Sequence, residues 1–219
     1  MEGTTPARTR CSVCGHPELR EFQWVEERCY RRCPQCSATL MDPAGWLSEQ
    51  AERAVYALHD NRPDDPRYRS FLHRLAGPLL EVLPPGQKGL DFGCGPGPAL
   101  AQMLEEAGHQ MALYDPAFFP DTSVLAEQWD FIICTEVVEH LRHPLAVFRQ
   151  LDQMIRPGGW LGIMTCFQTD DERFANWFYR RDPTHIVFYR EATFSWLAKR
   201  FHWQMTVPRK DVVLLHKML

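Results

Sequence analysis

The densest chemistry in the chain lies in one stretch, Lys88-Gly89-Leu90-Asp91-Phe92-Gly93-Cys94-Gly95-Pro96-Gly97-Pro98. An apolar strand over Gly89–Phe92 runs into three glycines at alternate positions, and an amphipathic helix is expected from about Ala99 to Ala107. Glycine lets a backbone turn sharply and approach a ligand without a Cβ in the way. The helix that follows points its unpaired N–H groups back at the same spot. Such a turn suits a ligand bearing a carboxylate, a ribose or a phosphate, although a glycine-rich turn can also be only a tight turn. The spacing is not the Gly-x-Gly-x-x-Gly of dinucleotide binders. A second carboxylate, Asp115, ends an expected strand over Gln110–Tyr114 and lies 18 residues after Gly97. At the carboxyl end of a strand it can accept two hydrogen bonds from a ribose diol, as an acidic residue about 20 residues beyond the loop does in dinucleotide folds. An Asp-Pro step such as Asp115-Pro116 can also be a plain turn.

Cysteine chemistry sits near the start. Cys11-Ser12-Val13-Cys14 and Cys33-Pro34-Gln35-Cys36 are both Cys-x-x-Cys, with 18 residues between them. That spacing falls in the zinc-site window. Each pair can turn two sulfurs toward one metal, and two such knuckles complete a tetrahedral four-sulfur site with no open position, which makes the expected Zn2+ structural. The intervening Glu21–Val25 and Arg28–Arg32 alternate as a small hairpin does. A zinc ribbon is therefore expected over about residues 9–42, with Cys29 left over as a packing thiol. Arg28, Arg31 and Arg32 make the hairpin locally basic, which is read as a solvated face ahead of a nucleic-acid patch.

The elements that must carry these groups fit an α/β chain of 219 residues, 45% hydrophobic, with net charge −4. That charge offers no global basic field for nucleic acid or anionic membrane. No apolar run reaches the ~20 residues of a membrane span. Met1-Glu2-Gly3-Thr4-Thr5 shows no basic-then-apolar leader, residues 1–10 read as disordered, and a cytoplasmic protein is expected. The eight cysteines then count as thiols or metal ligands. Three segments are expected: the ribbon with its disordered start over 1–42, a helical linker or lid over 43–84, and an α/β domain over 85–219. Linker helices run from about Glu49 to His59 and from Tyr68 to about Leu83. Tyr56, His59, Asn61, Asp64, Asp65 and Tyr68 form a polar cluster that either lines a pocket or merely caps helices.

The glycine stretch, Tyr114-Asp115-Pro116, the run Asp130 to Leu141 and Arg156-Pro157-Gly158-Gly159 occur in an order that resembles the class I S-adenosylmethionine (SAM) dependent methyltransferases. The resemblance covers about residues 80–219 and is nearest to small bacterial enzymes similar to the ubiquinone-biosynthesis O-methyltransferases. It implies a Rossmann-like sheet with an antiparallel last strand, here from a hairpin of His202–Val207 and Val212–Lys217. It further implies that Asp91 organises the loop, that Gly93, Cys94, Gly95, Pro96 and Gly97 carry the methionine part of SAM, and that Asp115 and Pro116 lie at the ribose. By the same resemblance, backbone at Thr135 and Glu136 flanks the methionine portion, and His140 lies near the transferred methyl. Arg156–Gly159 matches as an architectural turn before strand five. One departure stands out. Only 14 residues separate Asp115 from Asp130, where the family fits a helix, a strand and an adenine contact. Pro116 and Pro120 prevent a full helix, so the third strand is expected to be abbreviated, near Ser123–Leu125, with Phe118 or Phe119 against the adenine.

Beyond strand five the chain turns aromatic and polar. Trp177, Tyr179 and Asp182 are expected to shape an acceptor pocket together with Tyr68 from the linker. His140 and His185 are the candidate bases, each also readable as a structural histidine. The expected activity is direct methyl transfer to an unidentified small-molecule acceptor. An RNA-modifying methyltransferase and a non-catalytic SAM-binding scaffold remain the alternatives, the first disfavoured by the acidic charge.

Overall fold

The protein is described by a computed structural model over residues 10–56 and 62–219. The expected disordered start (residues 1–9), the end of the first linker helix, and His59 and Asn61 lie outside these described residues. In chain order the elements are β1 (Arg20–Val25), β2 (Arg28–Arg32), β3 (Thr39–Met41), α1 (Glu49–Tyr56), α2 (Pro66–Leu80), β4 (Lys88–Phe92), α3 (Ala99–Glu106), β5 (Gln110–Tyr114) and β6 (Trp129–Thr135). There follow α4 (Pro144–Met154), β7 (Ile155–Met164), β8 (Val187–Phe188), α5 (Glu191–Phe201), β9 (Trp203–Arg209) and β10 (Val212–Lys217).

By packing, the described residues fall into two compact units that interleave along the sequence. Among the described residues, the first comprises 10–56, 138–147 and 166–197, and the second 62–137, 148–165 and 198–219.

The first unit is built on a sheet of order β1-β2-β3-β8. The expected hairpin forms as β1 and β2, closed by Glu26 and Glu27 with φ of +49° and +62°. β3 pairs antiparallel with β2 and with β8, so residues about 150 positions downstream complete the sheet. That pairing was not expected, since a two-residue strand leaves no periodicity to read. One face buries Tyr30, Phe174 and Phe188, whose rings meet edge to face at 4.9–5.9 Å.

The second unit holds a six-stranded sheet of order β5-β4-β6-β7-β10-β9. β5, β4, β6 and β7 are parallel. β10 runs antiparallel between β7 and β9, as the resemblance implies. Leu72, Leu75, Ala76 and Leu79 of α2 pack with Leu100 and Leu104 of α3 on Phe131, Ile133, Met164 and Leu214 of the sheet. Asp65 caps α2 by accepting the Arg67 N–H at 2.8 Å, so its role in the polar linker cluster is capping.

Two local expectations are corrected. Thr122–Ala126 is a 3-10 helix capped by Asp121, not a strand near Ser123–Leu125. The short, proline-flanked connection leaves no third strand among the described residues, and β5 stands at the sheet edge. Arg156–Gly159 is not a turn before the strand. It lies within β7 as a bulge, because Trp129 and Phe131 pair with Ile155 and Trp160. Gly158 takes φ +80° there, and a Cβ on Gly159 would strike the Asp130 carbonyl.

Gly89 is the tightest point of the central strand. A Cβ there would run into the Phe131 ring and come within 2.8 Å of the Met111 sulfur. Gly89→Ala is therefore expected to destabilise the second unit by about 2–3 kcal/mol, the cost of overpacking a full core, read as a lowered urea midpoint with an unchanged slope.

Candidate active site

From β4 the chain moves to β5 on one side and then returns to β6 on the other. The carboxyl ends of β4 and β6 therefore flank a topological switch point, where open α/β sheets bind ligands. β4 ends in Asp91-Phe92 and leads into the glycine loop. β6 ends in Thr135, followed by Glu136. The loop turns through Gly93 and Gly95 at φ +81° and +64°, a region open to glycine at little cost. Gly93 also passes so close to Val137 that a Cβ would sit 2.5 Å from its methyl. The Gly93 and Cys94 N–H groups both donate to the Tyr114 carbonyl, at 2.7 and 3.2 Å, which ties the loop to β5.

Asp115 accepts the Gly95 N–H at 3.1 Å through Oδ2, and the Ala117 and Phe118 N–H groups at 2.8 and 3.1 Å through Oδ1. It thus braces the glycine loop and folds its own turn, and a carboxylate still has lone pairs for a diol. The turn is closed by reciprocal backbone bonds between Asp115 and Phe119, leaving Pro116 and Phe118 exposed. Asp91 is 4% exposed. Burial, with Asp115 nearby, pushes its carboxyl up to about 7, partly offset by backbone at Ala101 in the first turn of α3. Tyr68 of α2 belongs to this end. Burial and the nearby carboxylates of Asp91 and Glu136 push its phenol up to about 12. The Thr135 hydroxyl is buried with no hydrogen-bond partner among the described residues. A glycine cradle, two carboxylates and an orphaned hydroxyl at a switch point fit a ligand with an amino-acid end and a ribose, as SAM has. Cys94 stays a thiol, pushed up by burial and by Asp91 and Asp115. Pro96 is exposed, and the Gly97 carbonyl accepts the Ala99 N–H at 2.7 Å, opening α3.

The first unit gathers the other candidates. Glu139 is fully buried, and its Oε1 accepts the Tyr179 hydroxyl at 2.5 Å. The same Oε1 lies 3.8 Å from His140 Nε2 and 4.0 Å from His185 Nε2. His140 Nδ1 meets the Thr184 carbonyl at 3.1 Å, and His185 Nδ1 meets the Tyr179 carbonyl at 2.7 Å. A carbonyl only accepts, so each Nδ1 carries the proton, and Nε2 of a neutral ring presents its lone pair. Burial holds His185 below its ordinary range despite Glu139. Asp182 lies 3.9 Å from His185 Nε2; burial opposes its charge, but bonds from Thr184 hold it low. Tyr56 of α1 stands edge-on to His140 at 5.4 Å and donates to Glu52 at 2.9 Å. The predicted His140, His185 and Tyr179 are thus brought together, with the half-buried Trp177 ring tilted against Tyr179 at 5.3 Å. Sequence reading gave Glu139 no role. Its signal was a lone acidic residue between the apolar Val137-Val138 and His140. Glu139, His140 and His185 converge to within 4.8 Å, which suits a shared proton or a divalent cation.

The four cysteines Cys11, Cys14, Cys33 and Cys36 also come together within 4.8 Å, and none forms a disulfide. The sulfurs of Cys11 and Cys36 lie 3.7 Å apart and those of Cys14 and Cys33 3.5 Å apart. Tetrahedral zinc with bonds of about 2.3 Å requires sulfurs about 3.8 Å apart. The donor set therefore fits the metal. Cys29 packs as a buried thiol outside it. Arg31 pairs with Asp42 at 3.2 Å and Arg32 with Asp171 at 2.8 Å, so two of the three hairpin arginines are engaged within the unit.

The fold, with its parallel strands and antiparallel last strand, is that of the class I methyltransferases. A family profile described as "Methyltransferase domain" matches residues 58–206, and the chain belongs to that family. Curated relatives include ubiquinone biosynthesis O-methyltransferases from Bordetella avium (25% identical over 144 residues, 55% of each chain) and Xanthomonas campestris pv. campestris (29% over 148 residues, 57% of this chain and 56% of the relative). The chain thus spans about half the length of these relatives. Among solved structures, the SAH-bound CalO1, a methyltransferase in calicheamicin biosynthesis, shares the fold at TM-score 0.51 and 14% identity, covering 78% of this chain and 59% of CalO1. An O-methyltransferase family protein from Burkholderia thailandensis does so at TM-score 0.50 and 13% identity, covering 76% of this chain and 63% of that protein. Among the described residues no helix is long and apolar enough to cross a membrane.

Asp91 gives the site a pH signature. Its folded value stands above its unfolded one, so the folded state keeps the proton longer. Stability is thus expected to fall as pH rises from about 4 toward 7. Asp91→Asn should abolish that part of the slope in urea melts taken across the window.

Proposed function

We propose that the protein transfers the methyl group of SAM to a small-molecule acceptor, with zinc held by Cys11, Cys14, Cys33 and Cys36 in a structural role. The observation that carries the reading is the switch-point cradle: Gly93 and Gly95 in left-handed turns, braced by Asp115, beside Asp91 and the unpartnered Thr135 hydroxyl. In this reading Asp91 and the loop from Gly93 to Gly97 hold the amino-acid end, Asp115 and Pro116 meet the ribose, and Thr135 and Glu136 flank the methionine chain. SAM supplies an electrophilic methyl, and most of the rate comes from holding an acceptor in line with it. His140 and His185 take the acceptor's proton, Glu139 steadies the imidazolium that forms, and Tyr179 fixes Glu139. The curated relatives are named O-methyltransferases, so hydroxyl-bearing small molecules head the acceptor screen. The engaged hairpin arginines and the net charge of −4 speak against an RNA substrate. A cytoplasmic setting fits the thiol-rich composition.

A second reading rests on the convergence of Glu139, His140 and His185. A divalent cation held there would lower the acceptor's pKa directly. Turnover restored by Mg2+ or Mn2+ after mild chelation that leaves the cysteine-bound zinc in place would favour it over the proton-relay form.

Calorimetric titration with S-adenosylhomocysteine is expected to show binding. Asp115→Ala should weaken it by roughly 10- to 100-fold, the worth of charge-assisted hydrogen bonds. No heat with the wild-type protein would withdraw the catalytic reading in favour of a scaffold. With an acceptor in hand, His140→Gln and His185→Gln are expected to retain that affinity while kcat falls by roughly 100-fold or more, the range of general-base catalysis. Unchanged kcat in both variants would remove the base from the mechanism.

A further inference from the structure

The two cysteine knuckles do more than close a hairpin. The first places the Ser12 carbonyl where it accepts the Leu145 N–H at 3.1 Å, and Leu145 opens α4 five residues after His140. The second leads through Ala38 into β3, which pairs with β8. The Met41 N–H donates to the Ile186 carbonyl at 2.9 Å, next to His185. The Ile186 N–H in turn donates to the Glu139 carbonyl at 2.9 Å, next to His140. These bonds form a closed circuit. It runs from the first knuckle to the His140 segment, across to the His185 segment, through β3 to the second knuckle, and back through the four sulfurs. Every joint except the sulfur joint is a backbone hydrogen bond or the chain itself.

We propose that metal held by Cys11, Cys14, Cys33 and Cys36 locks this circuit, so that the four cysteines are positioning residues for His140 and His185. The inference rests on the reading of that pair as the acceptor-side base. The energetic argument is loop closure. With the sulfur joint open, the two knuckles are tied only by their hairpin and by the exposed His16–Gln35 hydrogen bond at 3.0 Å, and the ring through the two histidine-bearing segments becomes an open chain. A metal joint removes that freedom, and its binding free energy becomes folding free energy of whatever it closes. The rest of the first unit is loop-rich around the circuit, with 3-10 turns at Val138–His140, Phe174–Asn176 and Phe178–Arg181. Short turns of this kind open at low free-energy cost unless tied. His140 sits in the first of them, and His185 lies between the last of them and β8.

The test is amide hydrogen exchange on the full-length, zinc-loaded protein, compared with the same protein after EDTA treatment with thiols kept reduced, and with Cys14→Ser and Cys14→His. Histidine can replace a zinc thiolate and serine cannot. Wild type and Cys14→His are expected to protect the Leu145 and Ile186 amides alike. Chelated protein and Cys14→Ser should exchange those amides at least roughly tenfold faster, as local opening requires, while Lys88–Phe92 stays protected and S-adenosylhomocysteine affinity holds within about twofold. Unchanged protection at both amides after metal loss would overturn the proposal. So would equal loss of protection over Lys88–Phe92, or purified protein carrying no tightly bound metal. The functional reading fails separately, if His140→Gln and His185→Gln both turn over normally, because the exchange readout uses no acceptor.

Discussion

The passage of Gly93 beside Val137 sets the switch-point end of the second unit. Two segments that leave the carboxyl ends of β4 and β6 approach until no side-chain carbon fits between them. A residue other than glycine there would also have to hold φ +81°, which costs an L-residue about 1 kcal/mol or more. The other features are arranged around that approach. The loop is pinned to β5 through the Tyr114 carbonyl, and it is pinned again through Asp115 to Gly95. Asp91 is shut in below the loop, where its charge is expensive unless a cation or dipole answers it. A ligand bringing an ammonium group would relieve that cost, which is how a destabilised carboxyl becomes a binding element.

What the sequence disclosed is what local chemistry encodes. Glycines at alternate positions after an apolar strand, a carboxylate at the end of the next strand, and two Cys-x-x-Cys knuckles at ribbon spacing each declare themselves within a few residues. The hairpin of β1 and β2 and the antiparallel β10 were legible for the same reason. Pairings across long separations were not. β8 is two residues long and joins a sheet begun more than 140 positions earlier, so neither propensity nor period could announce it. The interleaving of the two units follows from that pairing and was equally hidden. Arg156-Pro157-Gly158-Gly159 reads as a turn by composition, yet the sheet absorbs it as a bulge, since register is set by β6. At Thr122–Ala126 the expected strand lost to a 3-10 helix because Asp121 offered a cap and proline-broken chain left too few residues to reach a sheet edge.

Glu139 shows the limit of reading site residues by motif. The histidine beside it drew the functional reading, while the carboxylate was taken as part of the run. Its full burial and its 2.5 Å bond from Tyr179 make it the centre of the cluster instead. Burying a carboxyl group is costly, and the cost is met only where several donors converge. Tyr179 is one such donor, supplied by a 3-10 turn forty residues downstream. Neither partner is informative alone, and forty residues of chain separate them.

The same geometry ties two histidines to one carboxylate. Both rings spend Nδ1 on backbone carbonyls, which fixes the tautomer and aims both Nε2 atoms toward one carboxylate oxygen. Burial keeps His185 below its ordinary range, which favours the neutral ring. A protonated ring would lie 4.0 Å from Glu139 and 3.9 Å from Asp182, whose charges offset part of the cost of burial. The fixed tautomer belongs to the arrangement of backbone carbonyls, and it lasts only as long as the segments bearing Thr184 and Tyr179 are held still.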